Sequence, residues 1–171
     1  GQLKHPKLWP VVVAALASPK TRSMAQAALV TGGDATLVHL KTAFAQAGQQ
    51  YPFWSELVRT CGRIRSPQTV ALLLPHLNFP LLQVRSQLLT ALGHTGYQAD
   101  TAMQPLVEQQ IQAELAHAAW SLASLVDLGD ESALGLVRTA LENDLAQQRT
   151  RLFLWLALLY DPATIQRTRD A

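Results

Sequence analysis

Cysteine is nearly absent from this 171-residue chain: Cys61 stands alone. No disulfide can form within the chain and no thiolate metal cluster can assemble, which fits a reducing compartment. Aromatics make up 6% of the residues and charged side chains 15%, against 49% apolar. So little charge with so much apolar surface excludes a disordered, solvated chain. Net charge is only +2, and no concentrated basic face of the kind that grips nucleic acid is visible. Long apolar runs are missing as well. The longest, "LFLWLALLY" at 152–160, has nine residues, where a bilayer crossing needs about 20. No signal-peptide pattern opens the chain. A start at Gly1-Gln2 instead of Met reads as an excised domain or the remnant of a cleaved tag.

Leu and Ala dominate what is there, and Val/Ile/Thr-rich alternation is lacking, so propensity favours helix along nearly the whole chain. Gly32, Gly62 and Gly93 each follow an apolar segment ("AQAALVTG", "ELVRTCG", "QLLTALG") at similar intervals along the chain. Upstream of each lies a second helix-like segment, at 8–17, 36–47 and 69–77. Ser18-Pro19, Gly48 through Pro52 and Asn78-Phe79-Pro80 separate the pairs. Each unit reads helix, tight turn, helix, glycine stop, a grammar of helical repeats. In the third unit Leu81, Val84, Leu88, Leu89 and Leu92 share one face, and such a face needs a neighbouring unit to cover it.

The segment "LLLPHLNFPLLQVRSQLLTALGHTG" (72–96) resembles a HEAT repeat, with Pro75 in the first helix, Val84-Arg85 opening the second and Ala91-Leu92-Gly93 closing it. "VVVAALASPKTRSMAQAALVTGG" carries the same pattern with Pro19, Arg22 and Ala28-Leu29, while the middle unit departs from it at Phe53-Trp54 and Cys61. The resemblance covers residues 6–96 and implies an all-α, right-handed α-solenoid of about eight to ten helices in one domain. Residues 97–171 then read as divergent repeats or a cap. There, Val107, Ile111, Leu115, Ala119, Leu122 and Val126 mark one long helix behind Pro105. Leu134, Val137, Leu141 and Leu145 mark another, and 147–160 a third, apolar nearly all round from Leu152 onward and expected to be enclosed. Asp161-Pro162 reads as the N-cap and first turn of a last short helix.

Five histidines (His5, His39, His76, His94, His117) are scattered without metal-ligand spacing, so no metal or other cofactor is expected. No nucleophile motif or phosphate loop is present, and the reading is non-enzymatic. Cys61 lies near Arg59 and Arg63, which can lower a thiol pKa, although a packed helix cysteine is the simpler reading. Trp9, Trp54, Trp120 and Trp155 all lie in apolar stripes and read as core, and Glu114 reads as the partner of a basic residue inside the stack.

Arg59, Arg63 and Arg65 crowd "RTCGRIR", and Arg22 and Arg85 open second helices of their units. Two roles fit these arginines: ties between repeats, or an anion-recognising strip on the face that meets a protein partner. Arg59, Arg63, Arg65 and Arg85 are the candidate partner-binding residues. The C-terminal segment 140–171 is similar to the end of helical-repeat modules fused to bacterial ATP/ADP-carrier-like transporters, through Arg151, Phe153, Leu158-Leu159-Tyr160-Asp161-Pro162 and Ile165. That resemblance implies a soluble part of a membrane protein at the cytoplasmic face, with no insertion of its own. Bilin lyases and isomerases of HEAT-like build are the alternative, with Tyr51, Phe53 and Trp54 as the aromatic candidates and no acidic set beside them.

Overall fold

The computed structural model describes residues 8–48, 50–129 and 132–170; His5 lies outside this range. The described residues form nine α-helices and short 3-10 turns, with no strand among them. They divide into two compact units, Gly1–Tyr97 and Gln98–Ala171.

In the first unit the helices come in three pairs. Helix α1 (Trp9–Ala14) tightens into a 3-10 turn at Ala15–Ala17 and is followed by α2 (Arg22–Gly32). The β-branched run Val11-Val12-Val13 is a weak helix former, and Ser18-Pro19 end it. Thr21 Oγ1 then donates to Ala15 O at 2.9 Å and holds the turn. Helix α3 (Leu37–Gln46) precedes α4 (Tyr51–Ile64), which has Pro52 in its first turn. Helix α5 (Pro67–Leu73) starts on the clearest local signal in the chain: Ser66 accepts from Gln68 N, and Pro67 occupies the first position, where its missing N–H costs nothing. Pro75 breaks that helix into a 3-10 turn (Leu74–His76), and α6 (Leu82–His94) completes the unit. Helices α1, α3 and α5 touch in succession, as do α2, α4 and α6. Leu16, Leu29, Leu40, Leu57, Leu73 and Leu88 are fully buried between these two rows.

The glycines act differently from the expected stops. Only Gly32 ends its helix; Gly62 and Gly93 lie inside α4 and α6. A Cβ on Gly62 would sit 2.8 Å from the Ala91 Cβ and 2.9 Å from its Cα. Gly62 is therefore a point of close approach between α4 and α6, and the real chain reversals use Gly33, Gly48 and Gly96, which have positive φ. Gly62→Ala is expected to destabilise the fold by about 1–3 kcal/mol in urea titration, because backbone must move to admit the methyl. Adding Ala91→Gly should restore part of that loss; a neutral Gly62→Ala would mean the two helices are not tightly apposed.

The second unit is built on two long antiparallel helices, α7 (Gln104–Leu128) and α8 (Gly135–Leu159), followed by α9 (Pro162–Asp170). The sequence reading placed two helices where α8 runs unbroken, because Ala146-Gln147-Gln148 contains nothing that stops a helix. Trp155 and Leu158 are enclosed, but Leu152, Leu154 and Leu156 are only half-buried. Gln98 Nε2 and Ala99 N donate to Ala157 O and Leu158 O, tying the incoming segment to the end of α8. Asp161 caps α9 as its sequence suggests, with Oδ2 accepting from Thr164 N at 2.9 Å and Thr164 Oγ1 at 2.7 Å. Those bonds favour the ionised form and hold the carboxyl below its ordinary range.

The face that α7 turns to α8 departs from the apolar stripe read in the sequence. Val107 and Ile111 are buried, yet Leu115, Ala119, Leu122 and Val126 are exposed, Val126 by 79%. Glu114 and Ser121 take the covered positions instead, seven residues apart and so on one face. Arg151 meets Glu114 through Nε (2.8 Å) and Nη2 (3.1 Å), and Gln148 Nε2 donates to Ser121 Oγ at 3.2 Å and to Asp144 at 2.6 Å. Polar pairs hold the middle of this hairpin. Trp120, expected in the core, is 60% exposed for the same reason: it lies off the covered face.

Candidate functional site

Helix α4 carries Glu56, Arg59, Thr60 and Arg63 within two turns, and α2 lays Arg22 and Gln26 beside them. Positions 56, 60 and 63 fall on one helical face, as do 22 and 26. Glu56 is buried, and its carboxylate accepts two bonds from Arg59 Nη1 at 2.8 and 3.0 Å while lying 3.3 Å from Arg22 Nη1. Thr60 Oγ1 donates to the Glu56 carbonyl at 2.7 Å and accepts a long 3.5 Å contact from Gln26 Nε2. At the next rung Arg63 Nη1 donates to Gln26 Oε1 at 2.6 Å. Arg22 is fixed from its own side by Nε donating to Leu16 O at 3.3 Å.

The strip is thus a ladder between α2 and α4 that holds Arg22 and Arg59 on one carboxylate and Arg63 on the Gln26 amide. Glu56 and Gln26 are spent on holding them in place. Arg59 and Arg63 remain exposed beyond these bonds, Arg59 with half its side chain in solvent. A preorganised, exposed pair of guanidinium groups of this kind suits carboxylate or phosphate oxygens.

The other two arginines of the sequence reading lie apart from the ladder. Arg65 is the left-handed cap residue that ends α4, with φ 54°. Its side chain is exposed. Arg85 sits half-buried in the first turn of α6, with its Nε enclosed and without a hydrogen-bond partner among the described residues. Arg22 was read as a helix-opening arginine that either ties repeats or joins an anion-recognising strip, and Glu56 and Gln26 were missed. Glu56 stands three residues before Arg59, so half of that signal was present in the sequence.

The residues suspected of chemistry are placed elsewhere. Cys61 is fully buried, and desolvation pushes its thiol up to about 12, so the neighbouring arginines do not activate it. His76 stacks on Phe44 and meets the edge of Trp54, and burial lowers its pKa from the ordinary histidine value. Trp54 is buried among Phe44, His76 and Phe79, and its Nε1 donates to Gly48 O. Tyr51 meets Phe79 edge-on. Two of the three aromatics considered for a bilin are therefore engaged with neighbouring rings inside the first unit, and Phe53 alone lines a cavity. His117 lies 3.7 Å from Asp144 in the other unit. Among the described residues no group of three or more His, Cys, Asp and Glu is arranged to hold a metal ion, and no helix is long and apolar enough to cross a membrane. No protein-family model, curated protein or solved structure matches the chain.

Proposed function

We propose that this protein is a non-enzymatic interaction module, a HEAT-like solenoid whose α4 strip takes an acidic segment of a protein partner. The observation that carries the reading is the arginine ladder: Arg22 and Arg59 share the Glu56 carboxylate, Arg63 is held by Gln26 alone, and Arg59 and Arg63 face solvent. An acidic segment supplies the missing negative charge without requiring any group to move. Arg65 and Arg85 flank this strip in the proposal and extend its positive field. The module acts on the cytoplasmic side, tethered to a transporter-like membrane protein in keeping with the resemblance of residues 140–171. No nucleic acid or cofactor enters this reading.

Arg59→Gln with Arg63→Gln tests it. Both side chains are exposed, and exposed pairs contribute about 0–1 kcal/mol each, so the double variant is expected to melt close to the parent protein. A Glu/Asp-rich peptide should bind the parent with an affinity that falls as salt rises, and both the affinity and that salt dependence should shrink in the variant. Unchanged peptide binding, or a variant that unfolds, would reduce these arginines to structural ties.

A further inference from the structure

Two cavities adjoin in the first unit, with Gln50 and Phe53 lining both. One, about 220 Å³, is walled by Val13 and Ala14 of α1, by Ala43 of α3 with Ala47 just beyond it, and at its rim by His39, Thr42 and Gln46. Alanines face each other there, and the short side chains leave the space open. The second cavity, about 270 Å³, is bounded by Leu16, Ala17, Pro52 and Arg22. Arg22 brings a cation to a space that is otherwise apolar except for Gln50. Its Nε and Nη1 are used by Leu16 O and Glu56, and Nη2 is left without a partner among the described residues. Glu56 is already shared with Arg59, so a positive charge remains beside the cavity.

An apolar lobe of this size joined to a lobe with an under-compensated guanidinium matches one ligand chemistry. A carboxylate offers two oxygens to the arginine, and a short chain fills the alanine-walled space. We propose that the paired cavities bind a small amphiphilic monocarboxylate, its chain between α1 and α3 and its carboxylate against Arg22. This site shares Arg22 with the ladder of the acidic-segment reading, and only its apolar lobe at Ala14 and Ala43 lies off the α4 strip.

Amide chemical shifts followed by NMR during titration with octanoate test the proposal, with 1-octanol as the neutral counterpart and acetate as the head group alone. Octanoate should give saturable shifts at Val13–Ala17, Ala43–Ala47 and Phe53. Octanol should bind about tenfold more weakly, and acetate should leave these amides unmoved. Ala14→Leu, which fills the apolar lobe from an exposed helix position, should weaken octanoate while the melting temperature holds. Arg22→Gln should bring octanoate down to the affinity of octanol. Should Arg22→Gln fail to fold, the octanol comparison and Ala14→Leu decide alone. Equal affinities for octanoate and octanol, undiminished binding by Ala14→Leu, or shifts confined to other residues would overturn the assignment.

Discussion

Replacing Arg151 by Met is expected to cost about 3–5 kcal/mol of folding stability, because it leaves a buried carboxylate without its counter-charge. Arg151 is 2% exposed and Glu114 7%, and two hydrogen bonds join them across α7 and α8. Met keeps much of the volume of the arginine, so the loss reports the abandoned charge of Glu114 more than an emptied space. The double variant Glu114→Leu/Arg151→Met should recover most of the loss and can exceed the parent, since a buried ion pair is often no more stabilising than apolar residues of similar size. Urea titration at neutral pH checks both. A single variant that loses less than about 1 kcal/mol would show that solvent reaches Glu114 freely.

Truncating Leu88 to Ala is expected to cost about 2–5 kcal/mol. Leu88 is fully buried in α6, among Val84, Leu89 and Leu92 of the same helix. Neighbours around such a site relax only in part, so the lost methyls leave a cavity as well as a lost transfer energy. Leu156→Ala makes the control. Its side chain is only half-buried, so its truncation should cost clearly less than that of Leu88 in the same titration. Equal losses at the two positions would mean that α8 is covered on a face left open here.

The contrast between these leucines shows what the sequence carried and what it did not. Three helix pairs were legible because the breaks inside them are local: Ser18-Pro19, Gly48 through Pro52 and Asn78-Phe79-Pro80 separate the paired segments, whereas Pro75, read inside a helix over 69–77, ends α5 at Leu73. Gly62 was misread as a stop because a glycine inside a helix carries no local mark of the Ala91 backbone that excludes its Cβ. In α7 the periodicity offered two adjacent rows, Leu115–Leu122–Val126 and Glu114–Ser121. Hydrophobicity pointed to the first, but Arg151 and Gln148 across the hairpin select the second. A period names a face; only the partner helix decides which face is covered. The arginine strip was half legible. Arg59 and Arg63 lie one turn apart in the sequence, whereas Arg22 and Gln26 reach α4 only through the packing of the first unit.

The buried thiol of α4 also makes the chain its own clock. With its pKa pushed up to about 12 and its sulfur sealed from solvent, Cys61 cannot react with an alkylating reagent in the closed molecule at neutral pH. Any modification must come from conformations in which α4 has parted from its neighbours. The ratio of the observed labelling rate to that of an unstructured cysteine peptide then counts the fraction of time the first unit spends open. Since no second cysteine competes for reagent, a mass shift of one adduct is an unambiguous record of that opening.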